Sequence, residues 1–582
     1  MRVLATAGHV DHGKSTLVRR LTGMEPDRLA EERSRGLTID LGFAWTEVDG
    51  RLLAFVDVPG HERFVSNMLA GVGPVAAALV VVAADEGWQA QSAEHLAALD
   101  AFGVRHGLLV VTKADRADPA PVLADARDRI AGTTLGDVPA VAVSGRTGEG
   151  LDRLRAELAA LADRLPDPDP AADVRLWIDR AFTVRGSGTV VTGTLGAGTV
   201  RTGDELVLAG TGDRVTVRGL QSLGNTAAEI PAVARIAVNL RGVDRDRVRR
   251  GDALLTPGAW PCSAELDARL RGDKAAELHR ELVLHLGAAA VPCRVRPLGT
   301  DTVRLTLRSA LPVRAGDTGL LRDPGEHRVP AGIEVLDVCP PGLRRRGAAR
   351  RRALELGAGE AAAAYVRRQG AVTGSELRTL GWDPPFPPRV DDWVVDDGLW
   401  ENLPARARDG YAAWSRGDEL AAGMPADALR RELGVPAELL PATLARAGLE
   451  LRDGLVRRPG SAGALPERVE RALREVERGL AAAPFRAPEA DDLAALGLGR
   501  RELAAAERAG RLWRLADGLV LGPDAPRRAA EVLRGLAGTF TVSQARRALG
   551  TTRRVAVPLL EHLDADGVTE CLPDGTRRIS PG

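Results

Sequence analysis

The stretch GHVDHGKS, residues 8–15, combines residue types that can hold a phosphate group. Gly8 and Gly13 allow a tight backbone bend, so that successive N–H groups converge on phosphate oxygens. Lys14 adds a positive charge, and the hydroxyl of Ser15 can join the coordination shell of Mg²⁺. An apolar segment precedes the stretch and a helical segment follows it, which is the context that a phosphate-binding loop requires. The predicted loop comprises Gly8, His9, Val10, Asp11, His12, Gly13, Lys14, Ser15 and Thr16.

Two further stretches supply groups that can respond to a γ-phosphate. In DVPGHERF, Asp57 can hold the Mg²⁺ shell through water, the N–H of Gly60 can sense the γ-phosphate, and His61 can orient the attacking water. In RGLTIDLG, the hydroxyl and carbonyl of Thr38 can close over Mg²⁺ only while the γ-phosphate is present. Residues 30–45 are therefore a candidate switch loop. The predicted Mg²⁺ ligands are Ser15, Thr38 and Asp57, and the predicted catalytic residue is His61.

The base specificity follows from TKAD, residues 112–115, and VSGRTGEG, residues 143–150. The carboxylate of Asp115 can accept two N–H bonds from guanine, a pattern that adenine cannot offer. Lys113, one of very few lysines in an arginine-rich chain, can lie across the base. Ser144 and Gly145 fit the last loop that contacts the base. Thr112 stands where most GTPases have asparagine, which removes an amide that braces the base and argues against tight GDP retention. The predicted ligand is GTP or GDP.

Bulk composition indicates a globular protein of several domains. The 582 residues are 45% hydrophobic and 27% charged, with a formal net charge of zero. A nucleic-acid partner would therefore meet a local basic surface. The four cysteines are scattered, which predicts buried free thiols and a reducing, cytoplasmic location. No leader pattern or long apolar run is present, so we expect neither secretion nor a membrane span.

Three organisational patterns follow one another along the chain. Near-continuous apolar strands alternate with helices in the first part, which predicts an α/β domain with a buried parallel sheet. Short alternating strands with glycine turns then predict two small β-barrels. The last part repeats a plan of two helices and a strand–turn–strand, which is typical of tandem winged helices. The predicted domains are 1–168 (GTP-binding), 173–258 and 259–341 (β-barrels), and 345–405, 406–460, 465–523 and 524–582 (winged helices).

The motifs GHVDHGKST, RGLTIDLG and DVPGHERF, followed by two barrels, resemble those of translational GTPases of the elongation factor Tu class. Over its whole length the chain resembles the SelB family of selenocysteine-specific elongation factors, through RLWIDRAFTVRGSGTVVTGT and the tandem winged helices. The resemblance implies a monomeric GTPase with no membrane partner. It also implies selenocysteyl-tRNA, an mRNA hairpin (the SECIS element) and the ribosome as partners.

The same resemblance places Asp179, Arg180 and Arg235 in the pocket for the amino acid. A selenol is largely ionised at neutral pH, whereas the hydroxyl of the seryl precursor is not. A fixed guanidinium therefore favours the selenolate, and Asp179 can hold that guanidinium in place. An ordinary ion pair of the barrel is the alternative interpretation.

Winged helices bind DNA in many proteins, but on a tRNA-delivering GTPase an mRNA hairpin is the better-fitting partner. The last copy carries six arginines around its turn, second helix and wing. These candidate RNA contacts are Arg546, Arg547, Arg553, Arg554, Arg577 and Arg578. The arginine run 344–352 between barrel and winged helices is expected to be a solvated linker helix, with contact to ribosomal RNA or tRNA as the alternative.

The resulting hypothesis is GTP-dependent delivery of selenocysteyl-tRNA to recoded UGA codons by a factor tethered to the message. One alternative is a general elongation or initiation factor with added C-terminal modules, which a comparison of seryl- and selenocysteyl-tRNA affinity would separate. The other is a GTP-switched regulator that binds operator DNA. Filter binding of duplex DNA against structured RNA would decide that case.

Overall fold

The computed structural model describes residues 1–26, 40–59, 61, 65–73, 75–186, 188–460 and 465–580. Thr38 and Gly60, both predicted to sense the γ-phosphate, lie outside the described residues. The chain divides into two compact units. The first comprises residues 1–368 and 373–387, and the second comprises residues 369–372 and 388–582.

The first unit begins with a six-stranded sheet in the order β2-β3-β1-β4-β5-β6. Its strands are β1 (Arg2–Ala7), β2 (Gly42–Val48), β3 (Arg51–Asp57), β4 (Ala77–Ala83), β5 (His106–Thr112) and β6 (Ala140–Ala142). Only β2 runs antiparallel to its neighbour. Every residue of β4 is buried, as expected for a central parallel strand covered on both faces. The helices are α1 (Lys14–Thr22), α2 (Val65–Val72), α3 (Ala90–Phe102), α4 (Ala120–Ala131) and α5 (Leu151–Arg164).

The loops at the carboxyl ends of these strands bring the nucleotide motifs together. The predicted phosphate loop joins β1 to α1, Asp57 ends β3, and Thr112 ends β5. Ligands of open α/β sheets bind in the crevice at this edge. The α/β class predicted from the apolar strands is confirmed.

The first barrel is a sheet that closes on itself. The strands of this domain are β7 (Arg175–Val184), β8 (Gly188–Leu195), β9 (Thr199–Arg201), β10 (Glu205–Leu208), β11 (Arg214–Ser222), β12 (Asn225–Ala227), β13 (Glu229–Pro231), β14 (Ala234–Arg241) and β15 (Ala253–Leu255). Of these, β9 and β13 form a separate two-stranded sheet. The sheet order is β10-β15-β7-β8-β14-β11-β12, and the additional pairing of β10 with β11 completes the ring. A short 3₁₀ helix, Arg245–Arg247, precedes β15.

The second barrel is closed in the order β16-β19-β18-β17-β20-β21. Its strands are β16 (Cys262–Gly272), β17 (Glu281–Leu286), β18 (Ala289–Pro297), β19 (Thr302–Pro312), β20 (Thr318–Asp323) and β21 (Arg328–Asp337). Inward-facing residues alternate with exposed ones along β18, as in other small barrels. Both barrels predicted from the alternating pattern are therefore present.

Three helices follow the second barrel within or at the edge of the first unit: α6 (Ala348–Gly357), α7 (Ala361–Gln369) and α8 (Gly374–Leu380). The expectation of a solvated linker helix at 344–352 is wrong at Arg352, whose side chain is only 2% exposed. This guanidinium donates to Asp267 at 2.7 Å and pairs with Asp337, and both carboxylates are fully buried. Arg304 donates to the same Asp267 at 2.7 and 3.0 Å. A buried charge needs such partners, so this network fixes α6 to the barrel.

The second unit repeats a plan of helices followed by a β-hairpin. Its helices are α9 (Asp397–Gly417), α10 (Ala426–Leu433), α11 (Leu440–Ala447), α12 (Glu467–Ala482), α13 (Ala490–Ala495), α14 (Arg500–Arg508), α15 (Ala525–Arg534), α16 (Val542–Ala548) and α17 (Arg553–Ala565), with a 3₁₀ turn at Ala437–Leu439. The short strands from residue 371 onward are β22 (Ala371–Thr373), β23 (Trp393–Val395), β24 (Met424–Pro425), β25 (Glu450–Arg452), β26 (Leu455–Arg457), β27 (Trp513–Ala516), β28 (Leu519–Leu521), β29 (Thr569–Cys571) and β30 (Arg577–Ile579). The predicted boundary at 405/406 falls inside α9, because the chain continues as helix through Pro404.

The described residues can be checked for membrane-spanning helices and for the state of the cysteines. Within the described residues, no helix has the length and apolar composition needed to cross a bilayer. All four cysteines are free thiols, as predicted, but only Cys293 is buried. Cys262, Cys339 and Cys571 are exposed, so the expectation of buried thiols is wrong for these three.

Candidate nucleotide site and the adjoining barrel pocket

The phosphate loop has the backbone geometry that its glycines predict. Gly8 has φ of 147° and Gly13 has φ of 81°, which side-chain-bearing residues rarely adopt. A Cβ on Gly8 would lie 2.2 Å from the carbonyl oxygen of Val81. The Nζ of Lys14 donates to the carbonyls of Gly8 at 2.9 Å and His9 at 2.7 Å. These bonds hold the ammonium across the loop, where phosphate oxygens can replace the carbonyls.

Side chains from the first turns of α3 accept hydrogen bonds from the backbone of the phosphate loop. The N–H of Gly8 donates to Nδ1 of His95 at 3.0 Å, and the N–H of Val10 donates to Oε1 of Gln91 at 3.2 Å. Burial lowers the pKa of His95 to about 3 and that of His12 to about 4. Both imidazoles are therefore neutral at pH 7 and act as hydrogen-bonding groups that add no charge beneath the loop.

A buried carboxylate lies at the expected metal position. Asp57 is fully buried, and the hydroxyl of Thr6 donates to its Oδ1 at 2.7 Å. Burial raises the pKa of Asp57, while hydrogen bonds from Ser15 and Thr6 oppose that shift. Mg²⁺ prefers oxygen ligands and would stabilise the ionised carboxylate, so Ser15 and Asp57 are a suitable donor pair.

The guanine-specificity motif lines a cleft of about 360 Å³ together with Gly13, Thr16 and Gly145. The hydroxyl of Ser144 donates to Oδ1 of Asp115 at 2.6 Å. This bond is the main reason why the pKa of Asp115 lies below its usual value, so the group stays a carboxylate that can accept N–H bonds. The motif residues are therefore close together in space.

Thr112 makes its own hydrogen bond to the phosphate loop. Its hydroxyl donates to the carbonyl of His12 at 2.6 Å and so ties the base-binding strand to the phosphate loop. The reduced GDP retention predicted from the missing asparagine amide stays a prediction. Lys113 lines the cleft, and its Nζ contacts Asp85 at 3.3 Å and Glu86 at 2.5 Å. His61 is half-buried.

The barrel residues singled out by sequence form one cluster. Arg235 on β14 donates to Oδ1 of Asp179 at 2.7 Å and bonds its second oxygen as well. The hydroxyl of Thr192 donates to Asp179 at 2.8 Å and accepts from Arg235 at 3.2 Å. The ring of Phe43, from β2, lies 3.9 Å from the guanidinium carbon of Arg235. The side chain of Arg235 is 12% exposed and that of Asp179 is 4% exposed, so the ion pair is largely desolvated.

A bulge explains why two consecutive residues serve one pocket. On β7, Ile178 faces Gly193 but Arg180 faces Thr192, so one residue is extra and Arg180 is redirected. Arg180 and Arg235 then line the same cavity of about 390 Å³ between the barrel and β2. Arg180 donates to the carbonyl of Leu41 at 2.5 Å and pairs with Asp40 at 2.8 Å. Among the described residues no acceptor meets its buried Nε–H.

The arginines of the last winged helix differ in their availability. Arg577 is buried and donates to Asp564 at 2.8 Å, so its assignment as an RNA contact is wrong. Arg554 pairs with Glu489, and Arg578 pairs with Glu570 at 2.8 Å. The exposed side chains without a carboxylate partner in the described part of the chain are Arg547 and Arg553; Arg546 also has none but is half-buried.

Comparisons with known proteins agree with this geometry. The family profile described as "Elongation factor Tu GTP binding domain" matches residues 1–166. Elongation factor Tu 2 of Streptomyces avermitilis is 36% identical over 292 residues, which cover 46% of this chain and 75% of that protein. The chain belongs to the elongation factor Tu family. This places it among the translational GTPases and accounts for the α/β domain and both barrels.

Other relatives within the elongation factor Tu family carry more specific names. The selenocysteine-specific elongation factor of Escherichia coli K12 is 40% identical over 352 residues, or 59% of this chain and 56% of that protein. The match thus spans little more than half of that relative. The profile "Elongation factor SelB, winged helix" matches residues 531–578. The crystal structure of a bacterial selenocysteine-specific elongation factor, EF-Sec, aligns over 100% of both chains, with 27% identity and a TM-score of 0.74.

Several site residues were missed by sequence reasoning. Gln91 and His95 have helical i, i+4 spacing, so they share the α3 face that meets the loop. Thr192 lies opposite Arg180 in the hairpin of β7 and β8, and only the bulged register reveals this. Asp40 belongs to the stretch RGLTIDLG, but its barrel partner is distant in sequence.

Proposed function

We propose that this protein delivers selenocysteyl-tRNA to the ribosome in a GTP-dependent manner, at UGA codons marked by an mRNA hairpin. Membership of the elongation factor Tu family supports GTP-controlled binding of aminoacyl-tRNA. The selenocysteine-specific names of the similar proteins support the choice of amino acid. The observation that carries the proposal is the desolvated arginine cluster that opens into the cavity beside β2.

Charge discrimination in this pocket follows from its hydrogen bonds. Asp179 and Thr192 hold Arg235, so its guanidinium is fixed before a ligand arrives. Within the part of the chain that the structure describes, the buried Nε–H of Arg180 has no acceptor. A selenolate would supply a negatively charged acceptor, whereas a seryl hydroxyl would supply a neutral one. Arg180 is charged in both cases, so the selenolate gains over the hydroxyl through the added attraction between opposite charges in a largely desolvated site.

The nucleotide pocket and the barrel pocket are connected through a short path. Gly42 at the start of β2 pairs with Asp57 at the end of β3. Two residues earlier, Asp40 holds Arg180 of the barrel. A change in the segment around Asp57 therefore reaches Arg180 through one strand pair and one ion pair. We infer that GTP uses this path to control the grip on the amino acid.

Hydrolysis is assigned to the nucleotide pocket. Lys14 exchanges its loop carbonyls for phosphate oxygens, and Ser15 with Asp57 would hold Mg²⁺, which would supply positive charge against the developing negative charge. His61 orients the attacking water once the ribosome has accepted the codon. After hydrolysis, the path through Asp40 no longer supports the barrel pocket and the tRNA is released.

Binding assays with one tRNA body and two amino acids test the amino-acid assignment. Selenocysteyl-tRNA and seryl-tRNA are titrated against the protein with a non-hydrolysable GTP analogue or with GDP. We expect at least about tenfold tighter binding of the selenocysteyl form with the GTP analogue, since about 1.4 kcal/mol corresponds to tenfold. Equal affinities for the two aminoacyl forms would overturn the assignment.

Two variants on one strand provide the control. Arg235→Met removes the guanidinium from the pocket and should abolish the preference for selenocysteyl-tRNA. Arg241→Met alters an exposed arginine at the end of the same strand, β14, and should leave the preference unchanged. A parent protein that binds neither tRNA would refute aminoacyl-tRNA delivery as a whole.

The tether to mRNA is assigned to the last winged helix. Arg547 and Arg553 are exposed and can reach RNA phosphates or bases. The double variant Arg547→Ala/Arg553→Ala should weaken binding of the cognate hairpin and lower its salt dependence by about one unit per phosphate bound. The double variant Arg471→Ala/Arg474→Ala on α12 removes equal charge elsewhere and serves as control. Hairpin affinity that is unchanged in the first variant would move the RNA contact to another surface.

A further inference from the structure

The segment before and at the start of α6 displays an unusual set of arginines. We define the arginine platform as Arg344, Arg345, Arg346, Arg350 and Arg351. All five are exposed. In the described part of the chain none of the five forms an ion pair, and no acidic residue occurs between 344 and 354. Many other exposed arginines pair with a carboxylate, such as Arg500 with Asp517 at 2.6 Å.

The arginine platform has a rigid base. Arg352 is locked into the buried network of Asp267 and Asp337 described above. On the same helix Leu356 is 1% exposed and packs with Leu298 of the second barrel. Arg350 and Arg351 are therefore presented by a helix that is fixed at its inner face, and Arg344, Arg345 and Arg346 lie in the turn that leads into it. Binding a ligand on the helical part costs little backbone entropy.

Helix stability does not explain the platform. The partial positive charge at a helix N-terminus favours acidic residues in the first turn and disfavours basic ones. The first turn of α6 has no acidic residue, and arginines occupy positions just before it and within it. Residues that break a local rule without a structural gain are expected at functional sites.

We propose that the arginine platform is a binding site for the phosphate backbone of RNA, distinct from the hairpin contacts at the C-terminus. Guanidinium groups match phosphate oxygens in a bidentate manner and release counterions when they bind. A protein with zero net charge needs such a local concentration of charge to bind RNA. The choice of RNA over an acidic protein rests on the proposed function, in which tRNA and ribosomal RNA both meet this protein.

Salt-dependent binding of three RNAs to the full chain tests the proposal. The platform variant changes all five arginines to glutamine. A charge-matched control changes five arginines of α4 and α5 to glutamine, namely Arg127, Arg129, Arg153, Arg155 and Arg164. The probes are selenocysteyl-tRNA with a GTP analogue, isolated ribosomal subunits, and an RNA hairpin.

A platform that binds phosphates predicts an affinity at least about tenfold weaker for tRNA or for a ribosomal subunit. The slope of log K against log salt should fall by about 0.7–0.9 for each phosphate that the variant no longer binds. Which of the two probes is affected identifies the source of the RNA. The unfolding midpoint should equal or exceed that of the parent, because unfavourable charges leave the helix N-terminus.

Two results would overturn the proposal. One is unchanged affinity and slope for all three probes, and the other is an equal decrease in the charge-matched control. Neither concerns the amino-acid assignment, because the preference for selenocysteyl- over seryl-tRNA is a ratio measured on a single RNA body. Absence of that preference in the parent protein would instead refute the proposed function and leave the backbone site intact.

Discussion

The nucleotide pocket and the barrel pocket recognise charge in different ways. The nucleotide pocket relies on backbone N–H groups, one ammonium and neutral imidazoles, and its groups come from short motifs. In the barrel pocket, Asp179 holds Arg235, which lies 56 residues further along the chain, and Asp40, just before β2 of another domain, holds Arg180. The first fits a guanine nucleotide, whereas under the proposed function the second would distinguish a selenolate from a neutral hydroxyl. The nucleotide pocket depends on a rigid backbone, and the barrel pocket depends on a rigidly held side chain.

The largest expected effect concerns hydrolysis in the nucleotide pocket. His61→Ala should lower ribosome-stimulated GTP hydrolysis by about 10²–10⁴-fold, because the attacking water loses its orienting group. GTP affinity should remain that of the parent, as measured with a fluorescent analogue. His327→Ala, at an exposed barrel position, serves as control. Stimulated turnover within a few fold of the parent would remove His61 from this role.

The barrel pocket should be the more sensitive of the two to removal of a single charge. Arg235→Met leaves Asp179 buried without its counter-charge, which costs about 3–5 kcal/mol of unfolding free energy. Changing Asp179→Asn as well should recover most of this stability. Thermal and urea unfolding of the two variants provide the measurement. A double variant as unstable as the single one would show that packing, not charge, dominates here.

A pH experiment addresses the neutral imidazoles of the nucleotide pocket. The folded pKa of His95 is about 3, below the usual 6.5, so the unfolded chain binds more protons between these values. Stability therefore falls as pH drops through 6.5, by about 2 kcal/mol for this residue between pH 8 and pH 5. His95→Gln should remove this contribution of His95 to the pH dependence of stability. Hydrogen exchange of β1 and β4 amides, corrected for intrinsic rates, measures it. His327→Gln, at an exposed position of the second barrel, serves as the control.

The smallest effect concerns the brace between base strand and phosphate loop. Thr112→Val removes the hydroxyl that donates to His12, which should cost about 1 kcal/mol, or about fivefold in GTP and GDP affinity. Thr112→Ser keeps the hydroxyl and should bind nucleotide like the parent. Equal affinity for all three proteins would mean that the bond adds nothing to nucleotide retention.

The comparison also explains what could be predicted from sequence. The phosphate loop, Asp57 and Asp115 belong to contiguous motifs whose geometry follows from a strand, a turn and a helix. Asp179, Arg180 and Arg235 came from family resemblance, and residue types alone could not have joined them. Thr192 and Phe43 escaped because a β-bulge and an interdomain contact set their positions. Arg352 and Arg577 were misjudged for the same reason: arginine in a charged run predicts exposure, and only the fold shows the buried aspartates that draw it inward.

The small number of lysines in this chain allows a simple labelling experiment. Of 582 residues only Lys14, Lys113 and Lys274 are lysines, and the first two lie in the nucleotide pocket. Lys14 is 6% exposed and bonded to loop carbonyls, whereas Lys274 is open to solvent. An amine-specific reagent read by mass spectrometry would therefore use Lys274 as an internal standard. The modification of Lys113 relative to it would report how much of the protein carries nucleotide, without any engineered label.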